Sequence, residues 1–150
     1  MTVSPVPREA GAVAASPGAE AERSPTPFDH AERRIWSGRA EAYARTYARL
    51  CAHPAALLLD AAGVGPGSRV LDVGCGSGTI SALAAGRGAT VHAVDAEPGM
   101  VEATRRAVPE AEVCTARLPE LPYADHTFDA VVGNFVLNHV GRPREALAEL

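Results

Sequence analysis

Residues 70–78, Val70-Leu71-Asp72-Val73-Gly74-Cys75-Gly76-Ser77-Gly78, run an aliphatic stretch into an acid and three glycines spaced two apart, and Thr79 opens a helix-like segment. Glycine has no Cβ, so such a turn takes positive φ and lets a ligand come close to the backbone. The helix that follows presents orphan N–H groups and a positive dipole end, which suit a carboxylate or a phosphate. A second acid ends the next apolar run. Thr90-Val91-His92-Ala93-Val94 leads into Asp95, seventeen residues after Gly78. A carboxylate at the tip of the second strand of a nucleotide-binding α/β fold accepts both hydroxyls of a ribose. Taken alone, the same residue also serves as a helix cap.

The elements that hold these residues alternate. A strand over 69–73 precedes a helix at about 79–86, and a strand over 90–94 precedes a helix at about 98–107, with Glu102 four residues before Arg106. Residues 111–115 form a third strand and 128–133 a fourth. Near-continuous aliphatic strands separated by helices imply a parallel sheet covered on both faces. Right-handed crossovers then bring the glycine turn and Asp95 to one carboxyl edge. Upstream, Trp36, Ala40, Tyr43, Tyr47 and Leu50 recur at the spacing of one helix face, and Pro54 starts a second short helix. The aromatic face serves either as a lid or as plain packing.

The spacing acidic-x-G-x-G-x-G resembles the first motif of the class I, Rossmann-like S-adenosylmethionine (SAM)-dependent methyltransferases, and departs from the G-x-G-x-x-G of dinucleotide-binding domains. Two further stretches carry the resemblance. Pro119-Glu120-Leu121-Pro122-Tyr123 with Phe128-Asp129 is similar to the family's passage between third and fourth strands, and Phe135-Val136-Leu137-Asn138-His139-Val140 to the segment after the fourth in its small-molecule members. The resemblance covers residues 67–150 and implies the first four strands of a doubly wound, mostly parallel α/β sheet. It implies SAM as cofactor and a small-molecule methyl acceptor. Asp72 is assigned to the methionyl ammonium, Gly74, Cys75, Gly76 and Gly78 to the cofactor loop, Asp95 to the ribose, and Ala96 beside it to the cofactor. Met100 packs on adenine or simply fills the core. Ala116 and Arg117 stand where the family commonly carries an acid, so adenine recognition rests on backbone groups such as the Leu118 N–H. Asn134 positions the donor or acceptor, and His139 is either the base for an acceptor hydroxyl or a structural histidine.

The bulk numbers bound the rest. The net charge is −4, the fourteen basic residues are all arginine, and they are scattered, so no nucleic-acid-binding face is expected. No run reaches the length of a membrane span, and no membrane or secretory role is expected, which points to the cytoplasm. Cys51, Cys75 and Cys114 are an odd set at spacings that match no metal site. Residues 1–27 hold five of the twelve prolines and few large apolar side chains, the composition of a disordered tail, with a helical cap over 28–66 and the cofactor domain over 67–150. The final helix stops without a cap, which reads as a fragment of a longer enzyme and leaves catalysis by these 150 residues alone in question. Two other readings remain: a non-catalytic nucleoside-binding remnant and an NAD-dependent oxidoreductase domain.

Overall fold

The structure, a computed structural model, describes residues 24–150. Four short helices come first: α1 (Pro27–Trp36), α2 (Ala40–Arg45), α3 (Tyr47–Cys51) and α4 (Ala55–Ala61). The alternating part follows as β1 (Arg69–Val73), α5 (Thr79–Gly86), β2 (Thr90–Asp95), α6 (Pro98–Ala107) and β3 (Glu112–Thr115). Then come β4 (Ala130–Gly133), a 3-10 turn (Leu137–His139) and α7 (Pro143–Glu149). Among the described residues no helix is long and apolar enough to cross a membrane.

The strands form one parallel sheet in the order β3-β2-β1-β4. The chain fills one side of β1 with β2 and β3, then crosses to the other side for β4. Ligands of open α/β sheets bind at such a reversal, outside the carboxyl ends of the strands. The register makes this edge level. Val73 pairs with both Val94 and Gly133, so Gly74, Asp95 and Asn134 leave three adjacent strands at the same height.

Successive strand residues point to opposite faces. On one face Val70, Val91 and Val132 pack with Leu59 of α4 and Ile80 and Ala84 of α5, while Ala93 and Val113 pack with Val101 of α6. The other face is built differently from the helix-covered sheet that the alternation implies. Among the described residues, its Leu71, Val73 and Val94 are covered by Leu121, Tyr123, Phe128 and Val136 of the segment 116–136. His92 shares this face, with the Phe128 and Tyr123 rings at centroid distances of 5.1 and 6.0 Å. Burial pushes the His92 pKa down, and Glu112 only partly opposes this. The fourth strand starts two residues later than expected because Asp129 is held outside it, its N–H donating to Arg69 O (2.8 Å) and its carboxylate accepting from Arg69 N–H (2.7 Å).

Two local expectations need correcting, and the tail lies mostly outside the described residues. Residues 1–23 of the supposed tail lie outside the described residues, and residues 24–27 already lead into α1. Thr26 caps that helix in a reciprocal box with Asp29, and Pro27 sits at its first position. The aromatic face is not one helix. Gly38 at φ 71° separates α1 from α2, and Thr46 at φ −124° and ψ −87°, its hydroxyl bonded back to Ala42 O at 2.7 Å, separates α2 from α3. Finally, Glu102 pairs with Arg105 at 2.6 Å rather than with Arg106, since Arg105 is drawn along the helix by the Val113 carbonyl, 2.7 Å from its guanidinium.

Candidate cofactor and acceptor site

A cavity of about 860 Å3 opens at the carboxyl edge of the sheet. Its floor is the turn after β1 and the tip of β2, and its roof is α1 to α3. Gly74 and Gly76 line the floor at φ 68° and 57°. A Cβ on Gly74 would lie 2.5 Å from Val136 Cγ2, and one on Gly76 would lie 3.2 Å from the Tyr43 ring. Both glycines are therefore required by conformation and by space.

Asp95 is the organising charge. Its Oδ2 accepts the Gly76 N–H and its Oδ1 the Glu97 N–H, each at 2.9 Å. Burial raises its pKa above the ordinary carboxylate value, against the lowering effect of those two bonds. Each carboxylate oxygen keeps a further lone pair, so two hydroxyl donors fit this acceptor set. The capping role is taken by a neighbour: the Glu97 side chain accepts from Met100 N–H at 2.9 Å and caps α6. Ala96, Met100, Ala116, Arg117, Leu118, Asn134 and His139 all line the same cavity.

Three of the residues assigned to the cofactor do not line it. Asp72 is 1% exposed and points beneath the turn, where its Oδ2 accepts the Ser81 hydroxyl at 2.6 Å and its carboxylate also takes the Ser81 N–H. The anion at the N-terminus of α5 is thus the protein's own carboxylate. The loop amides are occupied as well. Gly74 and Cys75 donate to Val94 O, and Gly78 donates to Cys75 O. Cys75 is buried behind the loop with Thr104, whose hydroxyl lies 3.3 Å from its sulfur and 2.9 Å from Gly76 O; burial pushes the thiol pKa up. Gly78, at φ 87°, faces α6, where a Cβ would meet Thr104 Cα at 3.2 Å. Its role is close helix packing.

Burial, partly offset by the Ser81 bonds and reinforced by Asp95, lifts the Asp72 pKa from 3.8 to about 6. A folded-state pKa above the unfolded one means that the protonated acid favours folding. That contribution is complete below pH 3.8 and is lost as the pH rises through about 6. Its ionisation then costs roughly 3 kcal/mol at pH 7. Relative to the parent, Asp72→Asn should gain stability between pH 4.5 and pH 7, measured by urea unfolding at both values. An equal difference at the two pH values would show that Asp72 does not titrate in this range.

Sequence reasoning missed the roof contacts. Asn134 donates to Cys51 O at 2.7 Å, tying α3 to the end of β4. His139 lies with Glu32 of α1, its Nδ1 2.7 Å from Glu32 Oε2, and the Trp36 indole N–H reaches the same oxygen at 3.0 Å. Asp29 Oδ1 accepts the Gly141 N–H at 2.8 Å. The Thr-Pro-Phe-Asp run at 26–29 was the signal that could have located α1. Nothing local pairs its acids with residues more than a hundred positions away.

Residues 71–150 match the family model described as methyltransferase domain. The chain belongs to that family. Beyond the domain match, the chain is 43% identical over 94 residues to a demethylmenaquinone methyltransferase of Renibacterium salmoninarum, covering 63% of this chain and 40% of the relative. Among solved structures, the domain resembles a TehB-like SAM-dependent methyltransferase from Corynebacterium glutamicum, with TM-score 0.61, 27% identity, and coverage of 74% of this chain and 64% of that one. It also resembles the magnesium protoporphyrin IX methyltransferase of Synechocystis, solved with bound SAH, with TM-score 0.55, 26% identity, and coverage of 67% and 48%. The chain spans 36–40% of the length of four demethylmenaquinone methyltransferases that it matches.

Proposed function

We propose that the chain carries the cofactor-binding part of a SAM-dependent methyltransferase whose acceptor is an apolar, quinone-like small molecule. The observation that carries this reading is the Asp95 acceptor set at the floor of a cavity whose roof is aromatic and aliphatic. The cavity volume lies within the usual range for small-molecule sites. The desolvated carboxylate, with no cation among its hydrogen-bond partners, fits a ribose diol, and the adjacent apolar wall at Met100 and Leu118 fits a flat base. Ala116 and Arg117 border that end, so adenine is read by backbone groups there. Asp72 acts through the turn and α5 rather than by touching the ligand.

The roof favours an apolar acceptor. Tyr47, Leu50 and Phe135 line the cavity yet are 62%, 65% and 57% exposed. Large apolar side chains held open at a cavity mouth mark a binding surface for an apolar partner. The demethylmenaquinone methyltransferases among the relatives support a quinone-like ring. Bound SAM supplies a sulfonium methyl group, already a good electrophile. The protein's part is then to hold the acceptor in line, exclude water and take up a proton. In this reading His139 serves that last step, and its position on the cavity lining together with Asn134 supports the role. Its three cysteines are free thiols, which fits a reducing cytoplasm.

Titration calorimetry with S-adenosylhomocysteine (SAH) and NAD, followed by methyl transfer from labelled SAM to reduced 1,4-naphthoquinone, tests this reading. Micromolar SAH binding, no NAD binding and label in the naphthalene product are expected. Tight NAD binding without SAH binding would overturn the cofactor, and label only in nucleic acid or protein substrates would overturn the acceptor.

A further inference from the structure

The contact between α1 and the 3-10 turn links groups 107 positions apart in the sequence, Glu32 Oε2 and His139 Nδ1, at 2.7 Å. The remaining polar atoms decide which way the imidazole is protonated. The Asn138 amide nitrogen lies 2.9 Å from His139 Nε2. An amide nitrogen only donates, so Nε2 accepts and carries no proton. The ring proton is then on Nδ1, where it donates to Glu32. The carboxylate is itself held in place, since the Trp36 indole N–H donates to the same Oε2 and the Glu32 side chain is only 18% exposed. The Trp36 ring also meets the imidazole edge to face, at a centroid distance of 5.3 Å and an interplanar angle of 90°.

We propose that Glu32 is a positioning residue. It fixes His139 as the Nδ1–H tautomer, so that Nε2 is the atom that receives the hydroxyl proton of the methyl acceptor. This rests on the reading of His139 as the base. Glu32, Trp36, Asn138 and His139 all line the cavity, so an incoming hydroxyl takes the place of the Asn138 amide at Nε2. The acceptor O–H bond breaks, an N–H bond forms at Nε2, and the electron pair stays on the acceptor oxygen for its own attack or for delocalisation into the ring. The imidazolium then sits against the Glu32 carboxylate, which stabilises the charge created by the transfer.

The other charged groups nearby have partners of their own. Asp29 of α1 is taken by Thr26 and Gly141, Arg33 lies 2.7 Å from His30, and Arg142 lies 3.7 Å from Glu145. Glu32 is thus the acid in contact with the ring. It also comes from a helix outside the glycine-turn domain, so the base is assembled only when α1 is docked over the cavity.

The pairing is tested by the 15N resonances of the His139 ring in labelled protein saturated with SAH. The parent should show the Nδ1–H tautomer. Glu32→Leu, which removes the acceptor, should shift the ring to the Nε2–H form, and Glu32→Gln, which keeps an uncharged acceptor, should retain Nδ1–H. In turnover with reduced 1,4-naphthoquinone, Glu32→Leu should lower kcat at least tenfold with the KM for SAM unchanged, and Glu32→Gln should lose less. An Nδ1–H ring in a Glu32→Leu protein that still binds SAH would overturn the pairing. A shifted tautomer with undiminished kcat, together with parental turnover by His139→Ala, would overturn the use of His139 as base while leaving the pairing intact.

Discussion

Asp95→Ala should lower the affinity for SAH at least tenfold. Two charge-assisted bonds to a ribose diol are each worth about 1.5–3 kcal/mol, and a factor of ten needs only about 1.4 kcal/mol. The structure adds a second source of loss. Asp95 holds the Gly76 N–H and the Glu97 N–H at once, so the alanine variant also frees the floor of the cavity. Asp95→Asn keeps one acceptor oxygen and the shape, and should fall between parent and alanine. Calorimetry gives the affinities, and a thermal melt without ligand separates loss of binding from loss of folding. An alanine variant that binds SAH as tightly as the parent would show that the ribose lies elsewhere.

Gly78→Val should be strongly destabilising. At φ 87° a β-branched residue meets a backbone penalty of about 1–2 kcal/mol. Its Cβ would also lie 3.2 Å from Thr104 Cα and 3.3 Å from Ala107 Cβ, in contact with a packed helix that cannot turn aside. Overpacking of this kind costs about 1–3 kcal/mol more. The sum is a large part of the roughly 5–15 kcal/mol by which domains are stable. Gly67→Val is the control, because Gly67 has φ 82° but nothing within 4 Å of its Cβ, and it should show the backbone cost alone. Urea midpoints measure both. Equal losses at the two sites would mean that α5 and α6 can separate without cost and that Gly78 is a conformational requirement only.

The strand-loop-helix pattern was legible in the sequence because it is local. Val70 to Val73 and Val91 to Val94 are buried on both sides, so apart from Asp72 and His92 they read as aliphatic runs, and each run ends at the acid or glycine that terminates it. Gly74, Gly76 and Asp95 were legible for the same reason: adjacent parallel strands bring their carboxyl ends to one edge whatever the side chains do. Asp72 was not, because residue type says nothing about the face of the strand from which a side chain leaves. Only pairing Asp72 with Ala93 and placing Ser81 above it turns that acid away from the cavity.

The roof was decided entirely by tertiary structure. The spacing of Trp36, Tyr43, Tyr47 and Leu50 identifies one apolar face, yet Gly38 and Thr46 break it into three helices that still converge on the cavity. Helices this short have little stability of their own, so contacts with the sheet edge set their directions. Asn134 on Cys51, Gly141 on Asp29 and His139 on Glu32 are such contacts, and each joins residues more than eighty positions apart. The sequence by itself determined a parallel α/β domain with a glycine turn and a carboxylate at its switch point. The tertiary structure decided which acids face the cavity and which carboxylate meets the histidine. Those outcomes depend on strand facing and on the docking of distant helices, neither of which local periodicity encodes.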